Sequence, residues 1–264
     1  MPQVTLPSGH TLSYELDDFT DPWAAQPETV VFVHGLAERG EAWRTWVPTF
    51  SRRYRVLRYD QSGFGASGAI EDWRFEDSVD ELAQLARALN IDRFHLVSAK
   101  LGGTIAMAFA ALHPDKVRSL SVVSSPASLT ESLGTVLPQW TQMVREHGVR
   151  YWAEQTMGAR LGSNMPPEGV QWWTDMMGST ARSTMLAIFP TLAQVDVRPL
   201  LPRIQCPAFI MTTTGSRLGA VDAIQSWQQT IPHSRLALVD SDSYHIAASS
   251  PDVAAAQVLR FVTG

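Results

Sequence analysis

Two side chains in this sequence could act on a carbonyl group, and each lies at a turn between predicted elements. Lys100 stands in Ser98-Ala-Lys-Leu-Gly102, and a second glycine follows at position 103. His245 stands between a short apolar stretch and the last predicted helix. A neutral amine can attack a carbonyl carbon or remove a proton, and an imidazole transfers protons near neutral pH. The pair therefore predicts amine-assisted chemistry on a small carbonyl compound.

The protonation state of Lys100 decides what it can do. The chain has only two lysines, Lys100 and Lys116, among 21 basic residues. Burial disfavours the charged form of an amine and lowers its pKa, so a buried Lys100 could form a Schiff base or act as a general base. A charged Lys100 would instead anchor a carboxylate or an enolate. A third interpretation is an inert lysine in a ligand-binding pseudoenzyme, and a fourth is hydrolysis by a different group.

The elements around Lys100 would hold it above a sheet. Residues 93–97 are short and apolar between polar neighbours, which favours a buried parallel strand. Residues 101–112 are apolar on all sides, as a buried helix is. Small residues between them allow the chain to reverse sharply from strand to helix. Such a turn lifts one side chain, here Lys100, out of the sheet.

Strands alternate with helices along most of the chain, which predicts an α/β fold with a mostly parallel central sheet and helices on both faces. The periodicity predicts a hairpin over 2–6 and 11–16, strands over 29–33, 55–59, 117–123, 208–213 and 236–239, and helices over 41–54, 75–89, 221–230 and 251–262. Residues 126–200 break the alternation with several short helical patterns that are punctuated by glycine and proline. Four of the nine tryptophans and six of the nine methionines lie in this segment.

Four motifs together resemble the α/β-hydrolase superfamily. The small-x-Lys-x-Gly pattern has the spacing of its nucleophile elbow, with lysine where that family has Ser, Cys or Asp. His34-Gly35 follows a β-branched strand, as in the family's oxyanion loop. Residues 55–67 match a family strand and loop, except that Ser62 replaces an arginine. His245 has the place of the family's catalytic histidine.

The resemblance implies two domains and a site. Residues 1–125 and 201–264 would form the α/β-hydrolase core, and residues 126–200 a helical cap that roofs the active site. Lys100 would replace the nucleophilic serine, and His245 would be the acid and base. The backbone N–H groups of Leu36 and Leu101 would form the oxyanion hole.

The family's carboxylate partner for the histidine has no match in this sequence. The slot after the strand at 208–213 falls near Ser216, and the slot after the strand at 117–123 also holds serines. Asp222 could serve only after a rearrangement of its loop, and a place at a helix start explains it better. The nucleophile and the acid therefore both depart from the pattern, which indicates altered or lost chemistry.

Several further residues are expected near the site. Glu38 on the oxyanion loop is expected to pair with Lys100. Arg39 and Ser62 are expected on loops that border the pocket, where Arg39 could bind a substrate carboxylate. Trp172 and Trp173 in the cap are expected either in its own core or facing the cavity.

The composition limits the classes of molecule that this protein is expected to bind. The net charge of −5, without a basic run, argues against nucleic acid and against anionic membranes. No window of 18 apolar residues and no N-terminal signal segment occurs, so the expected location is the cytoplasm. A single cysteine, Cys206, excludes an internal disulfide and is expected to be a buried thiol. No metal and no cofactor are expected, the partner is a small-molecule substrate, and the sequence leaves a homodimer open.

Overall fold

The computed structural model describes residues 1–24, 26–216 and 220–264, and these form eight strands and ten α-helices. The strands are β1 (Gln3–Thr5), β2 (Thr11–Asp17), β3 (Thr29–Val33), β4 (Arg55–Tyr59), β5 (Phe94–Ala99), β6 (Val117–Val123), β7 (Ala208–Thr213) and β8 (Ser234–Val239). The helices are α1 (Val47–Phe50), α2 (Phe75–Ala88), α3 (Leu101–Leu112), α4 (Leu129–Leu133), α5 (Leu137–Leu161), α6 (Pro167–Gly178), α7 (Arg182–Leu192), α8 (Val221–Gln228), α9 (Ile246–Ser249) and α10 (Pro251–Thr263).

The strands of the described residues form one sheet in the order β1-β2-β4-β3-β5-β6-β7-β8. The first two strands form the predicted antiparallel hairpin, and β2 pairs antiparallel with β4. Every neighbouring pair from β4 to β8 is parallel. Parallel neighbours need crossover connections, which place helices over the sheet. The predicted α/β-hydrolase fold is confirmed.

The central strands are mostly apolar because both faces of the sheet are covered. Every residue of β3 is buried. Since successive side chains of a strand point to opposite faces, Val31 and Val33 pack into one core, while Val30 and Phe32 pack into the other. The sheet is therefore a rigid support for the loops that follow its strands.

The helix predicted over 41–54 is wrong in extent. The chain forms a 3-10 turn at Gly40–Trp43 and then the short helix α1, which has proline in its first turn. Pro48 has no N–H to donate to the preceding turn, and its ring favours the start of a new helix. The predicted apolar face persists, because Trp43, Trp46 and Phe50 are all buried.

The segment between β6 and β7 is helical. It contains α4 to α7 and a 3-10 turn at Arg198–Arg203. The longest helix, α5, spans 25 residues and is interrupted only at Gly148, where φ is 87°. The Trp140 and Trp152 rings on α5 pack 5.6 Å apart, so part of the aromatic content of the segment forms its own core.

Two expectations from composition can be compared with the structure. Cys206 is buried and free, and burial raises the pKa of its thiol to about 11, as expected for an inert core residue. Within the described ranges, every helix is too short or too polar to cross a lipid bilayer.

Candidate active site

The sequence-predicted residues meet at the carboxyl edge of the parallel sheet. His34 follows β3, Lys100 follows β5 and His245 follows β8. Parallel strands end at a common edge, and loops there form the ligand sites of open α/β sheets. The site is therefore assembled from elements that are far apart in the sequence.

Lys100 occupies the tight turn between β5 and α3, as predicted. Its backbone has φ 56° and ψ −127°, a conformation that a residue other than glycine adopts at a cost of roughly 1 to 3 kcal/mol. The turn also needs Gly102, because a Cβ there would overlap the carbonyl groups of Val33 and His34. The small residue is required by close helix–strand packing, and the strained turn sets the direction of the lysine.

The Lys100 amine is buried in a largely neutral environment. The residue is only 8% exposed, and Nζ donates a hydrogen bond to the backbone carbonyl of Tyr244 over 2.8 Å. Nζ also lies 4.4 Å from the centroid of the Tyr244 ring. Within the described residues, no carboxylate lies within ion-pair distance of the amine. The amine is thus held in place without a counter-ion.

This environment lowers the pKa of Lys100 from 10.5 to about 7. Burial is the largest cause, because it removes solvation from the charged form. The positive charge of Arg160 adds to the effect, and the carboxylate of Glu38 opposes it. A substantial fraction of Lys100 is therefore a neutral amine near pH 7.

Glu38 pairs with His245, which corrects the expectation that it pairs with Lys100. Its Oε1 lies 2.9 Å from Nε2 of His245, and its Oε2 accepts a hydrogen bond from the Gly35 N–H over 3.0 Å. Burial raises the pKa of the Glu38 carboxyl, but the charge and hydrogen bond of His245 and the Gly35 N–H outweigh it, so the pKa is below the ordinary value. Glu38 is therefore an ionised carboxylate inside the protein.

The His245–Glu38 pair is reversed relative to a serine-hydrolase triad. A carboxylate only accepts hydrogen bonds, so Nε2 of His245 carries the proton that it shares. In a triad the carboxylate instead contacts Nδ1, and Nε2 faces the serine. Nδ1 of His245 is buried and has no hydrogen-bond partner among the described residues. Nδ1 therefore lacks a carboxylate partner, as expected from the absence of an acid near Ser216 in the sequence. Asp222 is exposed in the first turn of α8.

Gly35 makes this pairing sterically possible. A Cβ at that position would lie 2.7 Å from both Oε1 of Glu38 and Cβ of Lys100. Both side chains therefore pass directly over the Gly35 backbone. Any larger residue would displace the carboxylate, the lysine or both.

The backbone N–H groups of Leu36 and Leu101 remain available. Neither donates a hydrogen bond to any described residue. Both residues line the same cavity as Lys100. An oxyanion hole requires such donors to face the space where negative charge develops.

A narrow cavity of about 40 Å³ lies above these groups. Its floor and roof are formed by residues of the core and of the helical segment: Leu36, Glu38, Lys100, Leu101, Pro126, Leu129, Ser132, Leu133, Trp140, Arg160 and Leu192. The walls are mostly apolar with a few charged groups, as in sites for small organic molecules.

Arg160 is a wall residue that no motif indicated. It lies on α5 three residues after Met157 and seven after Ala153, which are both buried, so it shares the buried face of the helix. A basic residue on an otherwise apolar stripe is the sequence signal that could have identified it. Its guanidinium carbon lies 5.7 Å from the centroid of the Tyr244 ring, the same ring that the Lys100 amine contacts.

Ser62 and Arg39 lie away from this cavity, which corrects the expectation that they border it. Ser62 Oγ lies 3.1 Å from Nδ1 of His10, and Glu81 contacts the same nitrogen. Both partners meet one ring nitrogen, so this cluster lacks the two-sided geometry of a triad. Arg39 forms an ion pair with Glu41 and lines a separate surface depression.

The two tryptophans of helix α6, Trp172 and Trp173, have different environments. Trp173 is 7% exposed, and its ring meets the His245 ring edge to face at 5.3 Å. Trp172 is half-buried and contacts Trp173 at 5.3 Å. Trp173 therefore contacts the site through His245, whereas Trp172 supports Trp173 from behind.

Among the other titratable groups, His34 has a structural role. His34 is fully buried, and its two ring nitrogens contact the Gly35 carbonyl and the Gln61 N–H. Burial lowers its pKa, so the ring is neutral. Across the described ranges, no three His, Cys, Asp or Glu side chains lie close enough together to hold a metal ion.

Comparison with known proteins agrees with this architecture. A sequence model described as the alpha/beta hydrolase fold matches residues 28–250. A pimeloyl-[acyl-carrier protein] methyl ester esterase of Aeromonas hydrophila is 27% identical over 86% of this chain and 92% of its own length. The 3-oxoadipate enol-lactonase 1 of Acinetobacter baylyi is 22% identical over 90% and 88%. The solved structure of an enol-lactonase from Burkholderia xenovorans superposes with a TM-score of 0.90 at 21% identity, with full coverage of both chains.

The fold and the site thus define an enzyme of the hydrolase fold. The chain belongs to the alpha/beta hydrolase fold family. Its relatives are named hydrolases, which supports hydrolase activity as the general class.

Proposed function

We propose that this enzyme acts on a small carbonyl compound, with Lys100 in place of the nucleophilic serine and His245 as acid and base. It cleaves a C–C bond by attack of the Lys100 amine or, as a second candidate, an acyl bond by attack of water. The observation that carries the proposal is a buried amine at the elbow, on the wall of a cavity, close to a buried His245–Glu38 pair. The elbow is the position from which this fold presents its nucleophile.

The amine suits nucleophilic attack at neutral pH. Only an unprotonated amine has the lone pair that attacks a carbonyl carbon, and burial gives Lys100 a pKa of about 7. Its hydrogen bond to the Tyr244 carbonyl uses an N–H and leaves the lone pair free. A lysine with a carboxylate partner at this position would instead be a permanent cation.

For C–C cleavage, the amine adds to the substrate carbonyl and forms an N–C bond. The carbonyl oxygen takes up one proton from the amine and one from the His245–Glu38 pair and leaves as water, which gives a protonated imine. When a β-hydroxyl proton passes to the His245–Glu38 pair, the adjacent C–C bond breaks and its electrons move into the imine, which becomes an enamine. The enamine then takes back a proton, and water releases the product and the amine. Because the imine itself accepts the electrons, this sequence needs no cofactor.

The N–H groups of Leu36 and Leu101 have a role in the first step. Attack by the amine places negative charge on the carbonyl oxygen before it is protonated. Two backbone donors in a cavity that excludes most water stabilise such a charge far better than donors in bulk solvent. Both groups are free of other hydrogen bonds among the described residues.

Direct hydrolysis of an acyl bond is the second candidate function. The named relatives include a methyl ester esterase and enol-lactonases, and esters and lactones both contain an acyl carbon. Acyl transfer to Lys100 would give a stable amide and stop turnover. In this candidate the His245–Glu38 pair activates water, and protonated Lys100 stabilises the developing charge.

Borohydride trapping tests the first candidate against the second and against a ligand-binding pseudoenzyme. The wild-type protein is incubated with propanal or with β-hydroxy ketones, reduced, and analysed by peptide mass spectrometry. An adduct on the Lys100 peptide that is absent from Lys100→Ala is expected. Lys116, a partly exposed lysine paired with Asp92, serves as the internal control. Equal labelling of both lysines, or none, contradicts the proposal.

A further inference from the structure

The cavity contains a second cation, Arg160, which lacks a partner. The side chain is almost fully buried, at 4% exposure, and it lines the cavity beside Lys100 and Glu38. Its one side-chain hydrogen bond among the described residues runs from Nε to Thr156 Oγ1 over 3.4 Å. Nη2 is buried and has no partner within the described chain. A guanidinium has five N–H donors, so most of its capacity is unused.

Aromatic rings hold the guanidinium in place. Its central carbon lies 4.9 Å from the ring centroid of Trp152, 5.5 Å from that of Trp140 and 5.7 Å from that of Tyr244. Contacts with ring faces stabilise a cation without using its N–H donors. The rings therefore fix the orientation of the guanidinium group, and Nη2 remains available for a hydrogen bond.

The backbone of Arg160 is also hydrogen-bonded to the loop that carries Ser243 and His245. Its carbonyl accepts a hydrogen bond from the Ser243 hydroxyl over 2.8 Å, and Ser243 Oγ in turn accepts one from the His245 N–H over 2.9 Å. These contacts keep α5 at a fixed position above the edge of the sheet. Arg160 and His245 are thus positioned by one shared serine.

No carboxylate of the described chain neutralises Arg160. The nearby acid, Glu38, is engaged by His245 and the Gly35 N–H. An uncompensated buried charge is strongly destabilising, so buried cations normally meet an anion. Guanidinium groups bind carboxylates through two parallel hydrogen bonds.

We propose that Arg160 binds a carboxylate of the substrate, so that the site takes a short oxo acid. This proposal rests on the proposed function, which supplies the reacting carbonyl. The Tyr244 ring centroid lies 4.4 Å from the Lys100 amine and 5.7 Å from the Arg160 guanidinium carbon, and the sum of these distances limits their separation to about 10 Å. Reacting atoms meet at about 3 to 3.5 Å, and a paired carboxylate lies at a similar distance. These distances leave at most about 3 to 4 Å between the carbonyl carbon and the carboxylate carbon, so the acid is a short one, with no more than one or two carbons between the two groups.

Binding measurements on Lys100→Met separate this inference from the chemistry, because that variant forms no covalent adduct. Isothermal titration with levulinate, and with the uncharged 2-pentanone as the matched ligand, should show clearly tighter binding of levulinate. Adding Arg160→Met should weaken levulinate binding by about 10- to 100-fold, the range expected for hydrogen bonds to a charged group, and leave 2-pentanone unchanged. Arg160→Lys should recover only part of the loss, since an ammonium cannot form the two-pronged contact.

Arg145 provides the control, because it lies on the same helix but is exposed on the outer surface. Arg145→Met should leave both affinities unchanged. Equal loss of both ligands in Arg160→Met, or no loss of levulinate, overturns the inference. If the Arg160 variants do not fold, the comparison of levulinate with its methyl ester on the Lys100→Met protein decides: equal affinity contradicts carboxylate recognition. Trapping of propanal by wild-type Lys100 is unaffected by any of these outcomes, so the two proposals fail separately.

Discussion

Replacing Lys100 with methionine should stabilise the protein at neutral pH, by an amount that falls as the pH rises. The folded-state pKa of about 7 lies below the ordinary 10.5, so between these values the unfolded chain binds more protons than the folded chain. Stability therefore rises with pH across this window, and the full penalty applies below pH 7. A shift of this size corresponds to about 5 kcal/mol at low pH, about 4 at pH 7 and about 2 at pH 9.

The methionine variant also loses the hydrogen bond from Nζ to the Tyr244 carbonyl, which is worth about 1 kcal/mol at every pH. The expected net gain is thus about 3 kcal/mol at pH 7 and about 1 kcal/mol at pH 9. Urea unfolding at both pH values measures it. Lys116→Met is the control: pairing with Asp92 raises the pKa of Lys116, so its titration lies above this window. Parallel pH dependences of wild type and Lys100→Met would refute the reasoning.

Three other perturbations test the site. Lys100→Ser should show no strong esterase activity toward p-nitrophenyl acetate, because Glu38 holds Nε2 of His245 and Nδ1 lacks a carboxylate. Loss of the correctly placed carboxylate costs a serine protease about 10⁴-fold in turnover. Rapid hydrolysis by this variant would show that another acid orients His245. Glu38→Gln removes the charge that raises the pKa of Lys100, so the pH midpoint of borohydride trapping should move to lower pH; an unchanged midpoint contradicts the coupling. Trp173→Ala should lower the free energy of unfolding by about 3 to 5 kcal/mol, and Trp172→Ala should lower it less because Trp172 is half-buried. Thermal unfolding that ranks the two variants in the opposite order contradicts their placement.

The sequence predicted the elbow because its signals are local. Strand β6 and helix α3 have the predicted bounds, since their apolar runs end sharply at polar or small residues. The position of Lys100 in the turn follows from small residues at fixed spacing. Helix α5 was less predictable. Its glycines indicated several short helices, but the helix is interrupted only at Gly148.

The partners within the site could not be predicted in the same way. Glu38 is on the expected loop, but spacing along the chain does not determine whether its carboxylate turns to Lys100 or to His245. That choice depends on how the loop after β8 meets the loop after β3, although three strands lie between them in the sheet. It also depends on the space above Gly35. Arg160 interrupts an apolar stripe of α5, which is a signal in the sequence, but its place beside the site depends on a contact with Tyr244 that only the folded chain forms.

The central claim, that Lys100 is a neutral amine near physiological pH, is open to direct titration. The chain has only two lysines, so labelling with lysine carrying carbon-13 at Cε gives two resonances, which Lys100→Met assigns. The Lys100 resonance should titrate near pH 7, because burial lowers its pKa, and the Lys116 resonance should titrate above the ordinary lysine value. Titration of both resonances above pH 10 would show that Lys100 is a cation, and would contradict nucleophilic catalysis by its amine.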